Sequence, residues 1–256
     1  GTTIAGSKYN SKYFMSISWW DDDQKIWTLF ETSNFFRNER ALKKNMNLNI
    51  KKTGTTIAGI VYKEGLILAA DTRATNSGIT CDKNCCKIHF LSSNICCCGA
   101  GTSADIQFLT KSVSNQLIYQ KLLFGRQTDL GTTSSYFKRV LFEAKGVLSC
   151  AIILGGKDLD GTHLYTIHSQ GATYNHPFCS MGSGSVAAIA VLERFFKTNM
   201  QLLDAIIVIK EAILAGVYND LGSGGNLDIA IIDNSWVKYK RSVDLAKREK
   251  NNIILE

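Results

Sequence analysis

The chain has 256 residues, 45% of them hydrophobic and 10% aromatic, which is enough to bury the core of one domain of ordinary size and leave a tail. Its formal charge of +7 is unevenly spread: residues 1–54 carry nine Lys/Arg against five Asp/Glu, and residues 55–256 twenty against seventeen. The folded body is therefore nearly balanced, which argues against a nucleic-acid surface, and no apolar run approaches the roughly 18 residues that span a bilayer.

Gly1 to Trp20 lack a basic-then-apolar signal pattern, so secretion is not expected. The eight cysteines include Cys85-Cys86 and Cys96-Cys97-Cys98. Adjacent thiols of this kind do not make a disulfide framework; they suit a reducing compartment, with most of them acting as small buried residues.

Residues 7–53 mix Trp19-Trp20, Asp21-Asp22-Asp23 and the basic pairs Lys43-Lys44 and Lys51-Lys52 without a sustained period, so 1–54 reads as a leader. The competing reading is a short helix near Phe35 to Leu48 that docks on a partner. From Thr55 the text becomes strand-like. Thr55 to Tyr62 and Leu66 to Thr72 form a hairpin pattern, and Lys87 to Leu91 with Ile95 to Ala100 form a second. Thr102-Ser103-Ala104-Asp105 has the form of a capping box before a helix reaching about Phe124, and Ser134 to Ala144 reads as a second helix.

Ala151 to Leu154 and His163 to His168 return to strand, separated by Gly155-Gly156 and Asp158 to Gly161, which read as turns. Ser185 to Phe196 and Leu202 to Val217 form another helix pair. Leu227 to Ile232 and Trp236 to Tyr239 close the domain, and Lys240 onward reads as an exposed, charged tail covering 240–256. Hairpins outnumber crossovers, which predicts an α+β four-layer αββα sandwich over 55–239, with two antiparallel sheets face to face and helices outside.

The stretch Gly54-Thr55-Thr56-Ile57-Ala58-Gly59 stands where the leader meets the first strand. A threonine hydroxyl is a poor nucleophile unless a base lies beside it, and cutting the preceding bond supplies one as the threonine's own α-amine. Gly54-Thr55 is a place for such a cut. The same six residues also open the chain at Gly1 to Gly6, so the motif alone does not choose between its copies.

Six blocks stand in order from Gly54 to about Asp233: Thr55-Thr56-Ile57-Ala58-Gly59; Ala70-Asp71-Thr72-Arg73-Ala74-Thr75; Asp82-Lys83-Asn84-Cys85-Cys86-Lys87-Ile88-His89; Gly99-Ala100-Gly101-Thr102; Met181-Gly182-Ser183-Gly184-Ser185; and Asn219-Asp220-Leu221-Gly222-Ser223-Gly224. Together they resemble the proteasome β-type subunits, which are N-terminal-nucleophile hydrolases, and most resemble the β2, trypsin-like type. Residues 34–53 are similar to the end of a β2 propeptide.

The resemblance implies a threonine endopeptidase made by autocleavage between Gly54 and Thr55, with Thr55 as nucleophile. It implies Asp71 and Lys87 as the charged pair beside it, and Ser183, Asp220 and Ser223 as the groups that orient the amine and a water. A lysine in an apolar strand is costly unless paired, and an ammonium near the new α-amine lowers its proton affinity, leaving it free to act as base. Gly101 matches the backbone oxyanion donor. Ala74, Thr75, Gly101 and Ser103 match positions that bind substrate as an added strand, and Gly99 matches the floor of a pocket for long basic side chains.

Gln107 stands where the type usually carries an acid, so preference for basic residues rests on Asp105 or on acids from a neighbouring subunit. Asp71 and Lys87 lie 16 and 32 residues beyond Thr55 but 69 and 85 beyond Thr2, which favours the second copy of the motif.

No cofactor or metal is implied. Cys81, Cys85, Cys86 and His89 lack the paired CxxC spacing of a zinc site, and His163 and His168 read as structural. The implied partners are the other α and β subunits of a 28-subunit core particle and polypeptide substrates, with no nucleic acid or membrane, in cytoplasm and nucleus. The rival expectation is a structural ring subunit that keeps its leader and has no free α-amine.

Overall fold

Leu66-Ile67-Leu68-Ala69-Ala70 has no polar side chain to place toward water, and every one of these residues is fully buried. Such a strand must be covered on both faces. Strand alternation sends Leu66, Leu68 and Ala70 into one apolar cluster and Ile67 and Ala69 into another. The computed structural model, which describes residues 54–76, 78–233 and 237–245, repeats this pattern throughout.

One sheet joins β10 (Phe178–Gly182), β1 (Thr56–Val61), β2 (Leu66–Asp71), β11 (Leu227–Ile232) and β12 (Val237–Val243) in that order. The other joins β5 (Ile88–Phe90), β6 (Ile95–Gly101), β7 (Cys150–Asp158), β8 (Gly161–Ile167) and β9 (Thr173–Asn175), and β3 (Ala74–Asn76) with β4 (Ile79–Asp82) makes a separate hairpin. All pairings are antiparallel.

Three apolar layers hold the elements together. Ile57, Leu68, Cys96, Cys98, Ile153 and Ala230 meet between the sheets. Ala58, Ile67, Ile229 and Ile231 pack beneath α3 (Ser185–Phe195) and α4 (Leu202–Asn219). Cys97, Ile152 and Leu154 pack beneath α1 (Ser103–Phe124) and α2 (Leu130–Ala144). The fold is the α+β four-layer αββα sandwich. Truncating a fully buried side chain such as Leu68 to alanine costs about 2–5 kcal/mol.

Alternation also explains the cysteine run: Cys96 and Cys98 face the other sheet while Cys97 faces the helices. Burial pushes the Cys96 thiol up to about 12 and also raises those of Cys97 and Cys98 well above the ordinary thiol range, so these thiols behave as small apolar residues.

Several sequence expectations need correction. Gly155 and Gly156 lie inside β7, opposite Cys96 and Ile95, not in a turn. The second helix starts at Leu130, where the Asp129 side chain accepts the Thr132 N–H as a cap. The capping box at Thr102 does not form: Thr102 makes no side-chain cap bond, and Asp105 Oδ2 accepts the Ser149 N–H at 2.9 Å instead. Lys87 lies just before β5 rather than within a strand. The last strand runs on to Val243, with Val243 and Leu245 buried, so the exposed tail does not begin at Lys240. The short strands β3, β4, β9 and β10 carry no pattern long enough to be predicted. Residues 1–53 of the leader, with the alternative helix from Phe35 to Leu48 and the Gly1–Thr2 step, and residues 246–256 of the tail lie outside the described residues.

Candidate active site

Thr55 directly precedes β1 and is only 5% exposed. Its Oγ1 donates to the Gly54 carbonyl at 2.7 Å and accepts from Lys87 Nζ at 3.1 Å. The same ammonium donates to Asp71 Oδ1 at 2.6 Å and reaches the Gly54 oxygen at 3.5 Å. One cation therefore contacts the hydroxyl, the carbonyl before it and a carboxylate.

Asp71 ends β2 and is fully buried, where a carboxylate is tolerated only if its oxygens are saturated. Besides Lys87, Oδ1 accepts the Thr56 N–H at 2.9 Å, and Oδ2 accepts the N–H groups of Gly224 at 3.0 Å and Arg73 at 3.3 Å. Strand β2, the threonine strand and the loop after α4 converge on one side chain.

On the other side the Thr55 N–H donates to Ser183 Oγ at 3.0 Å. Ser183 donates to Asp220 Oδ2 at 2.5 Å, and Ser223 donates to the same oxygen at 2.6 Å. Burial pushes the Asp220 carboxyl up, but hydrogen bonds from Ser183, Ser223 and the Gly222 and Ser223 N–H groups outweigh it and hold the group below its usual range. The six residues expected to carry chemistry are thus brought together from the residue before β1, the end of β2, the segment before β5, the β10–α3 turn and the α4–β11 loop.

Sequence reasoning missed Thr56. Alternation turns its side chain away from Thr55, and its Oγ1 donates to Ser223 Oγ at 2.8 Å, which ties it through Ser223 to the Asp220 carboxylate. It fits there because Gly184 and Gly216 lack side chains; a Cβ on Gly184 would stand 2.0 Å from Thr56 Oγ1. The repeated threonine was the available signal. Gly222 was quoted but given no role: a Cβ on Gly54 would lie 2.0 Å from its Cα, so the residue before the nucleophile is packed against bare backbone.

Thr75 on β3 accepts the Gly54 N–H through its Oγ1 at 3.0 Å, which puts that strand beside the leader junction with Ala74 next along it. The Gly99 N–H donates to Lys87 O at 3.2 Å, tying β6 to the lysine. Gly101 ends β6 with φ +130, and a Cβ there would meet Ser149 O at 2.1 Å, so only glycine suits this turn. Ser103 opens α1 just beyond.

At Gly99 the space a side chain would take is filled by Ile106, whose Cγ2 would stand 2.4 Å from a Cβ. An open cleft of about 460 Å³ lies instead between β5 and α1, lined by His89, Gln107, Thr110 and Lys111 among others. Burial lowers the proton affinity of His89. His163, read as structural, lies 3.9 Å from Asp158 on the far sheet. Among the described residues no group of three His, Cys, Asp or Glu side chains is placed to hold a metal ion.

Comparison with known proteins finds relatives over most of the chain. The proteasome subunit family model matches residues 51–232. Proteasome subunit beta type-7 of Dictyostelium discoideum is 47% identical over 199 residues, spanning 78% of this chain and 75% of that protein. Beta type-7-B of Arabidopsis thaliana is 44% identical over 207 residues, 80% and 76% of the two chains. Beta type-10 of Mus musculus is 42% identical over 193 residues, 75% and 71%. On the family match, the extent of these likenesses and the αββα sandwich, the chain belongs to the proteasome β-subunit family.

Proposed function

We propose that this chain is a catalytic, β2-type subunit of the 20S proteasome core, a threonine endopeptidase matured by cleavage between Gly54 and Thr55. The observation that carries this reading is the reach of Lys87, whose ammonium lies 3.1 Å from Thr55 Oγ1 and 2.6 Å from a buried carboxylate. A purely structural strand threonine gives no reason to bury a charged pair against its hydroxyl, since removing two charges from water is costly.

In maturation, Thr55 Oγ attacks the Gly54 carbonyl carbon. The hydroxyl proton ends on the departing Thr55 nitrogen, the Gly54–Thr55 amide becomes an ester, and water hydrolyses the ester to release the leader carboxylate. Lys87 faces the Gly54 oxygen on which negative charge develops. The freed amine keeps Ser183 as its partner, with Asp220 and Ser223 behind it. It then takes the hydroxyl proton when Thr55 attacks a substrate carbonyl, and the acyl-enzyme is cleared by water.

Gly101 supplies the backbone oxyanion donor, a contact worth about 2.7–4 kcal/mol of barrier. The substrate lies as an added strand along Ala74, Thr75, Gly101 and Ser103, with its specificity side chain directed past Gly99 toward Gln107. The cleft at Gln107 carries Lys111 and no carboxylate among its described lining residues. Cleavage after basic residues therefore draws its counter-charge from an adjoining subunit.

The partners are the other α and β subunits of a 28-subunit particle in cytoplasm and nucleus, and its substrates are unfolded or ubiquitin-targeted polypeptides. Residues 1–54 serve as the propeptide. The test is labelling of assembled particles with a peptide electrophile. Label on Thr55, lost in Thr55→Ala, supports the proposal; unlabelled particles that keep residues 1–54 would make this a structural ring subunit.

A further inference from the structure

Asn84 belongs to the block that carries Lys87. Its partners come from the strand beyond Tyr239, where sequence reading saw only a tail. The ladder between β11 and β12 is irregular there: Leu227 pairs with Val243 and Ile229 with Lys240, so Arg241 and Ser242 together stand opposite Asp228. Ser242 has φ +53, in the left-handed region that non-glycine residues rarely adopt. A bulge of this kind re-aims side chains off the ladder.

Both side chains are aimed at the Lys87 loop. Asp228 is fully buried and accepts from Ser242 N at 2.8 Å, Arg241 Nε at 3.2 Å and the Tyr239 hydroxyl at 3.3 Å. Held in this way, Arg241 Nη2 donates to the Asn84 carbonyl at 2.7 Å and to Asn84 Oδ1 at 3.2 Å, and Ser242 Oγ donates to Asn84 Oδ1 at 2.6 Å. The loop's opposite side is fixed by Thr72, whose Oγ1 donates to Lys83 O at 2.7 Å and whose carbonyl accepts the Cys85 N–H at 2.9 Å. The backbone from Lys83 to Cys85 is thus gripped from two sides, two residues before Lys87.

We propose that Arg241, oriented by Asp228 and acting through Asn84, is a positioning residue that sets where the Lys87 ammonium sits against Thr55. The proposal rests on the threonine-peptidase reading. A lysine side chain is a flexible four-carbon stem, so the place of its nitrogen depends on a fixed starting point. Asp71 fixes the head and the Arg241 clamp fixes the root. The titratable groups facing the clamp are Asp228, Tyr239, Asp82, whose Oδ1 accepts the Asn84 N–H at 2.8 Å, and Cys86, whose Sγ lies 3.3 Å from the Tyr239 hydroxyl oxygen. Those facing Lys87 are Asp71, Cys85 and, after cleavage, the Thr55 amine.

The experiment uses assembled particles carrying Arg241→Ala, Arg241→Lys or Asn84→Ala, with peptide hydrolysis and the pH dependence of labelling by a peptide vinyl sulfone as readouts. Arg241→Ala is expected to lower kcat about 10- to 100-fold with KM unchanged, the scale of a small misplacement of a catalytic group. It is also expected to move the ascending limb of the labelling profile to higher pH, because a Lys87 charge held farther away suppresses the Thr55 amine less. Arg241 is 39% exposed, so added methylguanidinium should restore part of the lost rate.

If Arg241→Ala fails to enter particles, Arg241→Lys carries the same test, since it keeps the charge but lacks the two-sided reach. Unchanged kcat and pH profile in an assembled variant would overturn the proposal. So would a fall in kcat with the pH limb unmoved and no guanidinium rescue, which marks a merely structural role. Labelling that persists in Thr55→Ala would instead overturn the threonine reading on which the clamp depends.

Discussion

Asp71 and Asp220 both connect to Thr55, one through Lys87 and the other through Ser183, but they are built in opposite ways. Asp71 is fully buried, saturated by three backbone N–H groups and one ammonium, and its charge is matched by another charge. Asp220 caps the end of α4 within reach of solvent and is matched only by hydroxyls and N–H groups. The first fixes a cation, and no neutral group replaces it without leaving that cation unpaired. The second orders a set of dipoles through Ser183, Ser223 and Thr56, and a neutral acceptor preserves much of that order.

The largest effect removes what the two carboxylates share. Thr55→Ala should abolish labelling and peptide cleavage by this subunit and leave residues 1–54 attached, as read by intact mass. Next comes Asp71→Asn, which strands Lys87, itself only 7% exposed, without a counter-charge. Removing one partner of such a pair costs about 3–5 kcal/mol of stability, so thermal denaturation should fall sharply and activity should be lost. Wild-type stability in Asp71→Asn would break the contrast.

Asp220→Asn is expected to be milder. Exchanging hydrogen bonds to a charged group for bonds to a neutral one loses about 1–2 kcal/mol, or roughly 5- to 30-fold in kcat. Its signature is in pH. The folded Asp220 carboxyl lies below its ordinary value of 3.8, so the ionised form contributes stability that is present above that value and lost as pH falls through the folded value. The wild-type advantage over Asp220→Asn in thermal denaturation should therefore hold at neutral pH, start to shrink near the ordinary value of 3.8 and vanish as pH falls through the lower folded value. An advantage that persists in acid would contradict it. The smallest effect is expected from Gln107→Glu, which adds a carboxylate on the exposed start of α1. It should raise kcat/KM for basic over neutral peptide substrates by a few-fold at most, since an exposed charge pair is screened by water and salt and is worth about 0.2–1 kcal/mol.

Much of this was legible in the sequence because each feature left a periodic or local trace. Both-faced burial of Leu66 to Ala70 and the helical spacing of Ile106, Leu109, Val113 and Leu117 fixed the layers. The spacing from Thr55 to Asp71 and Lys87 favours that copy of the threonine motif, and the fold brings these three residues into contact. What was not legible arises from contacts across the fold. Asp105 fits a cap locally, but in the fold the Ser149 N–H competes for it. Lys240 to Val243 look like a charged tail because a bulge hides their pairing with β11. Gly155-Gly156 read as a turn because two glycines say nothing of the strand partners that hold them in line. The floor at Gly99 looked open because sequence does not reveal that Ile106 fills it.

The most direct test is the N-terminal residue of this subunit in assembled particles, determined by sequencing and intact mass. Thr55 at the N-terminus in wild type, with the Gly54–Thr55 bond intact in Thr55→Ala, is the predicted result. A wild-type N-terminus upstream of Thr55 would leave no free α-amine beside Ser183 and would contradict the account.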